Sequence, residues 1–184
     1  MPDPTSETAR ALAESERFAA AFDRSRIPAT PSRGIAVLAC MDARIHVEQV
    51  LGLQTGEAHI IRNAGGLATD DAIRSLVVSR RLLGTREILV IEHTGCGLIG
   101  IDEEEVRASI AGATGEALDL PLHAFADLDA NLRAQVERIK AHPWIGDVPV
   151  TGLVYHVETG RLRLVTEAGA DHAGQSGQAD PSGQ

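Results

Sequence analysis

The sequence predicts an α/β fold: a mainly parallel β-sheet of order 2-1-3-4-5 flanked by helices, its last strand able to run antiparallel, with an N-terminal helical arm in front. Three observations carry that reading. Gly34 to Cys40 (GIAVLAC) and Glu87 to Ile91 (EILVI) are almost continuously apolar, as befits strands buried on both faces of a parallel sheet. Between and after such runs lie segments whose apolar residues recur at helical spacing, and strands alternating with helices imply parallel pairing through right-handed crossovers. Finally, 184 residues at 43% hydrophobic composition suit one domain with one core.

Taken in order, Glu7 to Asp23 carries helix-forming Ala, Glu, Arg and Leu, sets Phe18 and Phe22 one turn apart and starts behind Thr5/Ser6. Arg26 to Arg33 (RIPATPSR) is a Pro-containing linker. Residues 1–33 therefore read as an arm that packs on a partner subunit, giving a homodimer or a tetramer built from it. After the first strand, His46 to Leu51 is a short helix ending near Gly52, and Ala58 to Ile61 is a second apolar strand. Asp70 to Leu83 aligns Ile73, Leu76, Val77 and Leu83, with Thr69/Asp70 as its cap and Gly84 as its stop. Glu87 to Ile91 follows as the third strand, and Asp102 with Glu105 forms a capping box for the next helix. Leu128 to Ala141 places Leu128, Leu132, Val136 and Ile139 on one face. Val148 to Val157 and Leu162 to Val165 close the domain around a Glu158-Thr159-Gly160 turn. Residues 112–126 show no clean period. The α/β domain is thus expected over 34–167, with 168–184, rich in Gly, Ser and Gln, as a disordered tail.

Charge and composition exclude several functions. With 17 Lys+Arg against 26 Asp+Glu the formal charge is −9, which disfavours phosphate backbones, and no basic run with interleaved aromatics appears. No apolar stretch reaches the ~18–20 residues that cross a bilayer. The opening MPDPTSETAR lacks the basic and apolar regions of a signal peptide, so a cytoplasmic protein is expected.

The chain has 2 cysteines, Cys40 and Cys96. A disulfide-stapled scaffold is excluded, and thiols in a reducing compartment are reactive, ligating or simply buried. Cys40 closes the first strand, and His93 and Cys96 follow the third. In the order 2-1-3-4-5 those strand ends meet at the topological switch point, where such sheets bind ligands. Two thiolates and an imidazole suit zinc, and three protein ligands leave a fourth tetrahedral position for water or substrate. The alternatives on residues alone are a buried Cys40, a hydrogen-bonded core His93, or a Cys40–Cys96 bridge. A competing pattern overlaps the site: Gly95-Cys96-Gly97-Leu98-Ile99-Gly100 is a literal G-x-G-x-x-G after a strand and before a helix, as in dinucleotide-binding loops. It leaves Cys40, Asp42 and His93 without a role. Asp42 and Arg44 stand two apart on the loop leaving the first strand; near a metal, the aspartate can take the open position or accept a hydrogen bond from bound water, and the arginine decides which.

Cys40-Met41-Asp42-Ala43-Arg44, then Arg62-Asn63-Ala64-Gly65, then His93-Thr94-Gly95-Cys96-Gly97 resembles the β-class carbonic anhydrases, in particular their short actinobacterial-type members. The similarity runs from about Gly34 to Val165. It implies Cys40, His93 and Cys96 as ligands of one Zn2+ per subunit and Asp42–Arg44 as a catalytic dyad, with Asp42 on the metal only in a closed state. It also implies Gln54, reaching across a dimer interface, and Gly97 as substrate-binding residues. Val37 departs from the tryptophan that builds a noncatalytic bicarbonate pocket in some bacterial members. The remaining histidines carry no ligand spacing: His59 reads as a core residue, and Arg62 as structural or interfacial.

The implied activity is reversible hydration of carbon dioxide to bicarbonate and a proton, by attack of zinc-bound hydroxide, with carbon dioxide and bicarbonate as the small-molecule partners. Two thiolates neutralise the metal's charge, so the bound water should ionise above the ~7 of an all-histidine site and activity should rise through pH ~7.5–8.5. The alternatives are the same fold and zinc site acting on a related molecule, as in a carbon disulfide-type hydrolase, a catalytically silent member, or a nonenzymatic nucleotide- or zinc-binding module.

Overall fold

The structure, a computed structural model, describes residues 3, 5–23 and 26–166, so the expected tail lies outside the described residues. Ser6 caps the arm helix α1 (Glu7–Ala20) by accepting from the Ala9 N–H at 3.2 Å. The helix stops three residues short of Asp23, and the Phe18 and Phe22 rings still meet with centroids 5.6 Å apart. The linker then lies along the sheet entrance, where Ser32 and Arg33 donate to Gly56 O and Glu57 O at 2.9 and 3.1 Å.

The core elements are β1 (Ile35–Cys40), α2 (Val47–Leu51), β2 (Ala58–Asn63), a 3-10 turn (Ala64–Gly66), α3 (Asp70–Arg81), β3 (Glu87–His93), α4 (Glu103–Thr114), α5 (Leu128–Lys140), β4 (Val150–His156) and β5 (Arg161–Thr166). The sheet order is β2-β1-β3-β4-β5, parallel except for β4–β5, as the sequence predicts. β1 is buried along its whole length, which is why its sequence shows no polar alternation. Leu76 of α3 and Leu132, Val136 and Ile139 of α5 cover Leu38, Ile88 and Val90 on one face. Val47 of α2, Ile45 and the Cys96 loop cover Val37, Ala39 and Ile91 on the other.

β2 and β3 each run two residues beyond the apolar runs that announce them, to Asn63 and His93. Ladder pairing uses backbone groups and is indifferent to side-chain polarity, so polar Arg62, Asn63, Glu92 and His93 continue strands whose apolar signal has stopped. His93 therefore stands on the last residue of β3, paired with Tyr155, and not on the loop after it. A strand end aims a side chain more rigidly than a loop does.

Residues 115–127 form a loop without regular structure, which accounts for the missing period. Arg107 pins it by donating to Leu118 O and Leu120 O, and Phe125 bridges to Ile99.

Candidate metal centre

The switch point between β1 and β3 gathers one donor from each strand end and one from the following loop. The ligand atoms of Cys40, His93 and Cys96, all buried, lie within 4.8 Å of one another. His93 Nδ1 sits 2.9 Å from Thr94 O. A carbonyl only accepts, so Nδ1 carries the proton and Nε2 presents a lone pair. That Nε2 is buried without a hydrogen-bond partner. An orphaned acceptor facing two thiols is the condition a soft or borderline cation relieves, and two sulfurs with one imidazole nitrogen is a zinc donor set. Burial raises the Cys40 thiol, while a protonated His93 ring and the backbone N–H groups of Asp42 and Gly65 lower it, to about 7 net; with His93 neutral, a bound cation takes the place of that ring charge. Burial alone dominates at Cys96 and pushes that thiol up; a bound cation reverses such a shift.

Asp42 and Arg44 form the adjoining pair. Arg44 donates from Nε to Asp42 Oδ1 at 2.9 Å and from Nη2 to Oδ2 at 2.7 Å, and its backbone N–H reaches Oδ1 at 2.9 Å. This two-pronged grip, then the backbone bond, holds the Asp42 carboxyl well below the usual carboxylate range. Asp42 Oδ2 lies 3.7 Å from His93 Nε2, so the carboxylate borders the donor triad without belonging to it. Arg44 Nη2 also donates to Gly95 O at 3.0 Å, joining the two site loops.

The other singled-out residues separate. Gly97 lies beside Cys96, exposed, with ordinary backbone angles and open space where a Cβ would stand. Gln54 lies on the loop before β2, whose first residue Ala58 pairs with Ile35, at the opposite end of β1 from Cys40. At ~3.3 Å per residue the two ends are roughly 16 Å apart, so the Gln54 side chain is not at the metal centre of its own chain. It lines a groove of about 380 Å³ with Glu48, Leu53 and Ile60. The G-x-G-x-x-G pattern dissolves as a nucleotide loop: Cys96 turns toward Cys40 and His93, and α4 starts only at Glu103 on the Asp102 cap.

Two further residues support the site from outside the donor triad. Arg62 donates to Cys40 O at 3.0 Å and Asp42 O at 2.7 Å, clamping the backbone on either side of the exposed Met41. Glu92, fully buried and next to His93 along β3, accepts from Asn131 Nδ2 at 2.7 Å, and burial pushes its carboxyl up to about 8. Arg62, expected to be structural or interfacial, thus has a structural role, whereas no local pattern announces Glu92, whose partner Asn131 is distant in sequence. Gly66 is the demanding glycine of the site. Its φ is +71°, and a Cβ there would stand 2.8 Å from the Cys40 backbone nitrogen.

Residues 35–162 match the family described as carbonic anhydrase. Beta-carbonic anhydrase 1 of Mycobacterium tuberculosis is 40% identical over 156 residues, covering 84% of this chain and 95% of that protein. The carbon disulfide hydrolase of Acidianus sp. is 42% identical over 164 residues, covering 75% and 80%. Among solved structures, a carbonic anhydrase from Streptococcus mutans superposes with a TM-score of 0.84 at 35% identity, covering 88% of this chain and 99% of that one. The chain belongs to the carbonic anhydrase family, and its Cys40, His93 and Cys96 group fits the zinc ion of that enzyme class.

Proposed function

We propose that this chain hydrates carbon dioxide reversibly to bicarbonate and a proton, with zinc held by Cys40, His93 and Cys96. The observation that supports it most is a buried, partnerless His93 Nε2 facing two thiols with an arginine-bound aspartate 3.7 Å away. Zinc bound there supplies the Lewis acidity that makes water nucleophilic near neutral pH. Asp42 stays ionised, hence acceptor-only, and its role is to accept a hydrogen bond from a proton-bearing group beside the donor triad and so orient it. Arg44 keeps the carboxylate in that orientation; released from Arg44, the carboxylate would be free to turn toward the donor triad.

The same reading assigns Gly97 to the substrate entrance. It assigns Gln54 to the site of a second copy, because its own site lies at the far end of the sheet. A homodimer is proposed on the arm: α1 buries no residue, and Leu12, Phe18 and Phe22 are exposed. We read residues 1–33 as that arm and 34–167 as the catalytic domain. A cytoplasmic location is proposed on the two free thiols, which suit a reducing compartment; no described helix is long and apolar enough to cross a membrane.

The test is stopped-flow carbon dioxide hydration by the zinc-loaded protein from pH 7 to 9. Turnover that rises with pH is the expected result. Absence of turnover with zinc bound, together with sulfide release from carbon disulfide, would replace this reading by the hydrolase activity named for the Acidianus relative.

A further inference from the structure

The hairpin joining β4 to β5 reads from sequence as a plain turn, yet it touches the metal-site loop through one side chain. Thr94, between the donors His93 and Cys96, is held at four points. Its N–H donates to Tyr155 O at 3.0 Å, its carbonyl takes the His93 Nδ1 proton, its Oγ1 accepts the Val157 N–H at 3.1 Å, and that hydroxyl donates to Glu158 Oε2 at 3.0 Å. A hydroxyl has one proton, so accepting from Val157 leaves the proton free for Glu158 and fixes the rotor. The next residue is Gly95, at φ +63°, whose carbonyl receives Arg44 Nη2. An unbroken chain thus runs from the hairpin through Thr94, Gly95 and Arg44 to Asp42.

We propose that Glu158 and Thr94 are positioning residues for the Asp42–Arg44 pair. The Thr94–Glu158 hydrogen bond locks the loop that presents the Gly95 carbonyl, and that carbonyl is the acceptor of Arg44 outside Asp42 itself. The Glu158 carboxyl is held below its ordinary range by its own backbone N–H and the Thr94 hydroxyl, so the acceptor stays charged across the working pH range. Arg62 does the corresponding work on the Asp42 side, so the pair is gripped from β2 and from the β4–β5 hairpin. The inference rests on the proposed hydration activity for its kinetic readout only.

Four variants and two readouts test it. Thr94→Val removes the hydroxyl at constant shape, and Thr94→Ser keeps it. Glu158→Ala removes the acceptor, and Glu158→Gln keeps an acceptor oxygen without the charge. In Thr94→Val and Glu158→Ala, kcat for carbon dioxide hydration should fall about 10-fold with zinc content and KM little changed, as for other groups that orient a metal site from behind. Thr94→Ser and Glu158→Gln should stay within about 2–3-fold of the parent, since both keep the hydrogen bond. The second readout needs no metal: phenylglyoxal modification of Arg44, followed by peptide mass in the zinc-free protein. It should speed up about 5-fold in Thr94→Val and Glu158→Ala as the guanidinium is released, with the surface residue Arg74 as internal reference. Parent-like kinetics and parent-like Arg44 labelling in Glu158→Ala would overturn the proposal. So would a Glu158→Gln variant as impaired as Glu158→Ala, because charge and not the hydrogen bond would then be the link. If the parent itself fails to hydrate carbon dioxide, the proposed activity fails, and the Arg44 labelling still decides this point.

Discussion

The metal centre and the N-terminal arm obey opposite physics within one chain. Each side chain at the centre is held by others of the same chain: His93 by Thr94, Asp42 by Arg44, and the Cys40–Asp42 backbone by Arg62. The 14 residues of α1 bury nothing and are tied mainly by the exposed pairs Arg10–Glu7 and Arg17–Glu14. Such pairs contribute little, and an isolated helix of that length is marginal in water. The donor triad is therefore complete in one chain, whereas α1 buries no residue against the rest of the described chain.

The contrast can be broken most severely at the centre. Cys96→Ser replaces a thiolate donor by a poor ligand, and zinc affinity should fall on the order of 100-fold or more, with activity, as metal analysis after dialysis will record. Arg44→Ala should keep its zinc and lose activity by about 100-fold, because Asp42 loses its grip and can close on the metal. Normal turnover in that variant would remove Arg44 from the mechanism. Gly66→Ala places a methyl against the Cys40 backbone at a left-handed φ and should cost at least about 1–3 kcal/mol in denaturant unfolding. Gly97→Ala, with open space at its Cβ, should stay within about 0.5 kcal/mol.

Smaller effects sharpen the comparison. Glu92 has a carboxyl raised in the folded state to about 8 from an ordinary 4.5, so the folded protein holds a proton that the unfolded chain releases earlier. Its contribution is fully present below the unfolded value and is lost as pH rises from about 4.5 to 8. Glu92→Gln, permanently neutral, should match the zinc-free parent at pH 4 and exceed its melting temperature at pH 9. Removing residues 1–26 should matter least to the centre. Zinc content per chain should be unchanged, while light scattering shows loss of the proposed dimer; an unchanged mass would detach the arm from assembly.

Much of this was legible before any coordinates, and the reasons differ by element. Continuous apolar runs marked β1 and β3 because parallel strands are buried on both faces, and Thr69, Asp102 and Ser6 marked helix starts because orphan N–H groups need acceptors. The donors were legible because both cysteines and a histidine fell where the predicted strand order converges. The last residues of β2 and β3 were not, since a ladder continues under polar side chains. The roles of Thr94 and Glu158 were not either, because a side chain's partner 64 residues away leaves no periodic trace.

By itself the sequence determined the α/β class with a mainly parallel sheet, the two thiols and one imidazole available to a metal, and the carboxylate with an arginine beside them. All follow from residue type and local spacing. Tertiary structure alone decided which imidazole nitrogen faces the thiols, how far Asp42 stands from it, and that Gln54 lies at the wrong end of its own sheet. It also decided that a hairpin turn reaches the metal loop. Those facts depend on hydrogen bonds and registers between segments distant in the chain, and only folding brings such segments within bonding distance.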